Sequence, residues 1–164
     1  KKIYQQLNNF LDDDAFLIQK RDRRHPDRIN SLLNFGYYLL FSRINATVRA
    51  VGLNPYLGFL HSPQDNYESL VCDIEELFRA RIDRFIIRMI NLKVLGRDDF
   101  IETERGQYLK KEAVKKFIGQ FAAEMEKKGA QGTLPLKEDI YVQTVVLKKW
   151  ALEHGSLSFY RWKI

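Results

Sequence analysis

The chain has 164 residues, 45% hydrophobic and 13% aromatic, with 27 Lys and Arg against 21 Asp and Glu for a net charge of +6. This is enough apolar material for a folded domain and excludes a disordered chain, while the positive balance suits a polyanionic partner without requiring one. The single cysteine, Cys72, excludes an internal disulfide, no apolar run reaches membrane-spanning length and Lys1 opens no signal-peptide pattern, so a cytoplasmic protein is expected.

In chain order, KKIYQQLNNFL reads as the end of a helix, with Tyr4, Leu7 and Leu11 at helical spacing and no capping residue ahead of them. The acidic run Asp12 to Asp14 marks a turn and reads as loop and cap. Lys20, Arg21, Arg23 and Arg24 form the densest positive cluster, with Asp22 and Asp27 interleaved to neutralise part of it. Asp27 can cap a long helix, DRINSLLNFGYYLLFSRINATVRAV, whose Ile29, Leu32, Leu33, Tyr37, Leu40, Ile44 and Val48 keep helical spacing and which Gly52 ends in the left-handed way.

The turn GLNPYLGFLHS follows, two glycines and a proline around a lone histidine, His61. A second long helix is expected from about Asn66 to Leu95. Beyond Gly96, RDDFIETERGQYL lacks a clean period and reads as a loop with a short extended piece. KKEAVKKFIGQFAAEMEKKG is an amphipathic helix closed by Gly129, with Lys110, Lys111, Lys115 and Lys116 on its solvated face. AQGTLPLKED reads as a loop, IYVQTVVLKKWALEHG as a last helix, and SLSFYRWKI as a tail that docks or stacks on a base through Tyr160 and Trp162. No repeat or interdomain linker is visible, so the expected class is all-α, in one helical domain over 1–164.

The chemistry-bearing residues gather around His61. On an unbroken helix, Asp73, Glu76 and Asp83 fall on one face with the small Ala80, opposite the stripe of Leu70, Val71, Ile74, Phe78, Ile82 and Phe85; Arg79 lies beside that arc. Carboxylates suit Mg²⁺ and Mn²⁺, and Mn²⁺ also accepts imidazole. Taken alone the pattern is weak, because a lone turn histidine is ordinarily a hydrogen-bonded structural residue and an acidic helix face is ordinarily solvated and paired with arginine. Cys72 is too soft for Mg²⁺, and His25 and His154 read as structural or surface residues.

The order N-x-x-L-N-F-G-Y (Asn30 to Tyr37), GLNPYLGFLH (Gly52 to His61) and SLVCDIEELFR (Ser69 to Arg79), preceded by RDRRHPDRIN, resembles the CRISPR-associated integrase and endonuclease family, Cas1. The resemblance runs along nearly the whole chain, and GFLH followed by D-x-x-E-x-F-R is its most specific part. It implies the multi-helix C-terminal catalytic domain of a metal-dependent DNA endonuclease and integrase that inserts spacers into CRISPR arrays by phosphodiester transesterification. By position, it implies His61 and Glu76 as catalytic residues and ligands of Mg²⁺ or Mn²⁺, and Asp73 as the supporting acidic residue of the catalytic site, one turn before Glu76. Arg23, Arg24, Tyr37 and Arg79 are then expected at the DNA. The implied partners are a spacer precursor, the CRISPR repeat and the small second subunit of the adaptation complex.

The family's third ligand is a glutamate just ahead of a tyrosine that Tyr4 matches, yet no glutamate precedes Glu68. That ligand is expected upstream of Lys1, together with the family's N-terminal β-rich dimerisation domain, which makes this chain a fragment. Ala80 and Asn54 stand where the family often has proline and aspartate, and neither is an implied ligand. The alternative class is a non-catalytic helical module that holds DNA or a protein partner.

Overall fold

The computed structural model describes residues 2–61, 67–128 and 133–153, with side chains from Tyr4 onward. Gly129, the expected tail with Tyr160 and Trp162, His154 and most of the polar loop after His61 lie outside the described residues. The described residues hold six α-helices: α1 (Lys2–Gln6), α2 (Arg28–Val51), α3 (Ser69–Glu76), α4 (Arg79–Asn91), α5 (Lys111–Glu126) and α6 (Leu136–Glu153). Two strands, β1 (Phe100–Thr103) and β2 (Gly106–Leu109), pair antiparallel with Phe100 opposite Leu109. The chain is therefore mostly helical but not strictly all-α; the extended piece expected after Gly96 is one arm of this hairpin.

The chain packs as two compact units, 1–39 with 78–122 and 40–77 with 123–164. In the first, Asp27 caps α2 as its position predicts, accepting from the Asn30 N–H at 2.9 Å. The core of this unit includes Leu32, Leu33, Phe78, Ile82, Phe85, Ile86 and Phe117, each 1% exposed or less. Phe117 meets Phe85 edge-on at 5.5 Å between centroids and Phe35 at 5.0 Å. Asp13 caps the short 3₁₀ turn Asp14–Phe16 and pairs with Arg97 at 2.8 Å, the structural role expected for the acidic run.

In the second unit, Leu40, Ile44, Val48, Val71, Ile74, Leu136 and Ile140 are buried. The second half of α2 ends in a Schellman motif: Gly52 sits at φ 82°, its N–H bonds Arg49 O, and Leu53 N–H reaches back to Val48 O.

Two boundaries differ from the sequence reading. The single helix expected from Asn66 to Leu95 is two helices, broken at Leu77 and Phe78. Both sides of the break use short-range bonds, Leu77 N–H to Ile74 O and Arg81 N–H to Phe78 O. The apolar stripe runs on in phase through the break, which is why periodicity does not reveal it. Helix α6 starts four residues earlier than expected: Pro135 lacks an N–H but its carbonyl accepts from Asp139 N–H at 2.9 Å, and Leu136 and Ile140 are both fully buried one turn apart.

Neighbouring residues of α5 make this packing testable. Phe117→Ala is expected to cost about 3–5 kcal/mol in urea unfolding, while Ile118→Ala, at a position 45% exposed, is expected to cost under about 1 kcal/mol.

Candidate functional site

The turn between α2 and α3 is pinned along its length. Leu70 N–H donates to Pro55 O at 3.0 Å, and the Ser69 hydroxyl donates to Tyr56 O at 2.7 Å. Asp73, one turn into α3 and only 1% exposed, then takes the far end. Its carboxylate accepts the N–H groups of Phe59 at 2.6 Å, Leu60 at 2.9 Å and His61 at 3.0 Å. The His61 Nδ1 lies 2.6 Å from the same carboxylate.

Gly58 makes that close approach possible. A methyl group there would meet Ser69 Cβ at 2.7 Å, Asp73 Oδ2 at 2.8 Å and His61 O at 2.9 Å, so any side chain would push the turn off the carboxylate.

Burial works to raise the Asp73 pKa, but the Leu60 N–H, the His61 ring and the Phe59 and His61 N–H groups outweigh it and hold the carboxyl below its ordinary value. An ionised carboxylate only accepts, so Nδ1 is the nitrogen that donates to it, and in the neutral ring Nε2 is then the nitrogen with the lone pair. This carboxylate–imidazole arrangement is the one that orients histidine ligands in metal sites. The imidazole side chain is 39% exposed, and the Tyr67 ring stands edge-on to it at 6.2 Å.

Glu76 is exposed on the last residue of α3, one turn beyond Asp73. Among the described residues, no group of three or more His, Cys, Asp and Glu side chains is placed to hold one ion. The expected carboxylate face does not form: the helix breaks between Glu76 and Asp83, and Asp73 and Asp83 are both already engaged.

Asp83 belongs to a separate cluster in the first unit. It accepts the Tyr37 hydroxyl, and Tyr37 is 8% exposed. Burial, then the Asp83 charge, pushes the Tyr37 hydroxyl well above its ordinary pKa and keeps it protonated; burial likewise raises the Asp83 carboxyl. The Arg79 guanidinium stacks 4.6 Å from the Tyr37 ring centroid and donates to the Tyr4 hydroxyl at 2.9 Å.

The basic segment sorts by burial. Arg21 is half-buried, donating to Asn30 Oδ1 at 2.9 Å and Asn34 Oδ1 at 2.7 Å. Asp22, pulled down to about 2 by the His25 N–H, Lys20 and the Arg24 N–H, ties up Lys20 at 3.2 Å. Arg23 and Arg24 remain exposed. Asn30, fully buried, is the hub that sequence reasoning missed: it also accepts Asp22 N–H and donates to Lys20 O. Its place at the head of N-x-x-L-N-F-G-Y, next to the Asp27 cap, is the signal that marks it.

A family model described as CRISPR associated protein Cas1 matches residues 1–123. The chain belongs to the Cas1 family. A relative from Thermodesulfovibrio yellowstonii, named CRISPR-associated endonuclease Cas1 1, is 42% identical over 101 residues, which is 60% of this chain and 32% of that protein. The chain thus spans about a third of the length of that curated relative. Among solved structures, a Cas6-RT-Cas1–Cas2 complex superposes with TM-score 0.85 at 29% identity, over 98% of this chain and 18% of that one. A casposase bound to integration product superposes with TM-score 0.78 at 26% identity, over 94% of this chain and 45% of that one.

Because Asp73's pKa is lowered on folding, its stabilisation is present at neutral pH and is lost as pH falls through the folded-state value. Asp73→Asn is expected to cost about 3 kcal/mol at pH 7. The gap in melting temperature between wild type and this variant should narrow below about pH 4. Gly58→Ala should destabilise at every pH, since its clash does not titrate.

Proposed function

We propose that this chain is the helical catalytic part of a metal-dependent DNA endonuclease and integrase, which inserts spacers into CRISPR arrays by phosphodiester transesterification. The carrying observation is the His61–Asp73 pair on its pinned turn, which engages Nδ1 and leaves Nε2 as the candidate nitrogen donor, next to a helix where Glu76 follows Asp73 by three residues. The name of the endonuclease relative and the casposase caught with its integration product support the reaction class.

The donor set fits a hard divalent ion that also takes imidazole, Mn²⁺ or Mg²⁺, with His61 and Glu76 as ligands. A glutamate from sequence upstream of Lys1 is the proposed third. When bound, the ion polarises a phosphodiester and acidifies an oxygen nucleophile. Asp73 keeps the His61 ring in one tautomer and one orientation. Exposed Arg23 and Arg24 are the proposed phosphate contacts. Tyr37 and Arg79 form the platform that stands beside the DNA.

The proposed partners are a spacer precursor and the CRISPR repeat. The Cas1–Cas2 assembly among the structural neighbours supports the small second adaptation subunit as a protein partner. Homodimerisation through an N-terminal β-rich domain belongs to the same proposal. No helix among the described residues is long and apolar enough to cross a membrane, and the proposed location is the cytoplasm.

Calorimetric titration with Mn²⁺ tests the site. Saturable binding is expected, abolished by His61→Ala and Glu76→Ala and weakened about 10–100-fold by Asp73→Asn. No binding, either by this chain or by one continued upstream of Lys1, would contradict the reading. If the chain is instead a non-catalytic module, Arg23→Gln with Arg24→Gln weakens DNA binding while the His61 and Glu76 variants change nothing.

A further inference from the structure

The turn that carries His61 is held at its far end by Asp73, and its near end has a holder of its own. Lys148, on α6, donates from Nζ to Val51 O at 2.7 Å. Val51 is the last residue of α2, and its carbonyl is left outside the Schellman pairing that uses Val48 O and Arg49 O. The same ammonium lies 3.7 Å from where a Cβ on Gly52 would stand. A positive charge at the negative end of a 24-residue helix, bonded to an orphan carbonyl, is favourable on both counts. The contact joins positions 97 residues apart and comes from a helix beyond the residues that the family model matches.

We propose that Lys148 is a positioning residue for His61. The Schellman bonds end α2, and its grip on Val51 then holds that end and the direction in which the Gly52 turn leaves. The ten residues from Gly52 to His61 have two ends, and the Asp73 carboxylate reaches the three amides only if the near end is set. Between the ends, Leu70 and Ser69 hold Pro55 and Tyr56. Freeing the near end therefore loosens the amide bonds to Asp73 and the imidazole with them. Helix α6 thereby becomes part of the His61 site without contributing a ligand. The proposal rests on reading His61 as a metal ligand, and the two fail separately in the test.

The experiment compares wild type with Lys148→Met, Lys148→Gln and Lys148→Arg. Amide hydrogen exchange is read at Phe59, Leu60 and His61, with Ile82, Phe85 and Ile86 of α4 as internal controls, alongside affinity for Mn²⁺ alone. Lys148→Met should speed exchange at the three turn amides about tenfold while the α4 amides stay unchanged. Mn²⁺ affinity should fall severalfold in parallel, Lys148→Gln should lie between, and Lys148→Arg should restore both readouts. Unchanged protection of the turn overturns the proposal. So does an equal loss across turn and α4, which would make Lys148 merely a stabilising residue. Should wild type fail to bind Mn²⁺, the ligand reading of His61 falls, and the exchange data still decide whether Lys148 sets the turn.

Discussion

Asp73 has exchanged its water for three backbone N–H groups and an imidazole, and the arrangement of the turn that ends at His61 follows from that exchange. A carboxylate this buried is tolerated only with its lone pairs filled. Filling them draws Phe59, Leu60 and His61 against the first turns of α3. Gly58 has to be small for the approach, and Pro55 and Tyr56 are caught by the start of the same helix. The acid that composition presents as one of several surface charges is thus the organising element of the turn. His61 is presented by Asp73, with Nδ1 engaged and, among the described residues, no hydrogen-bond partner on Nε2.

The second cluster has different physics. Tyr37, Asp83, Arg79, Arg21 and Tyr4 form a stack of cations on aromatic faces, with one carboxylate underneath. Arg79 is held by two tyrosines rather than extended into solvent. Any phosphate contact it makes is therefore preorganised, with less side-chain entropy to lose than an exposed arginine such as Arg23. Asn30 serves the basic segment as Asp73 serves the histidine turn: a buried polar side chain saturates itself with backbone groups of a neighbouring loop.

Much of this was legible in the sequence. Helical spacing located α2 and its stripe, Asp27 and Gly52 marked the two ends of that helix, and the residues flanking His61 marked a stiff turn. The break at Leu77 and Phe78 was not legible, because hydrophobic periodicity reports a face and not the hydrogen bonds beneath it. The carboxylate face failed with it, since projecting Asp73, Glu76 and Asp83 at 100° per residue assumes an unbroken helix. The start of α6 was obscured by Pro135, which reads as a loop residue until Leu136 and Ile140 are seen buried one turn apart. Nor does spacing separate a buried acid from an exposed one: Asp73 and Glu76 look alike in sequence, yet one is saturated by amides and the other stands at the surface. The association of His61 with Glu76 is what the motif resemblance implies, and no periodicity argument reaches it.

The central claim is that Asp73 fixes the tautomer of His61 and leaves Nε2 as the donor. Nitrogen-15 NMR of the His61 ring in its neutral form tests it most directly. A protonated Nδ1 slowed in exchange, an unprotonated Nε2, and loss of that pattern in Asp73→Asn are expected. A ring protonated on Nε2 instead, or one whose pattern is the same in Asp73→Asn, would contradict it.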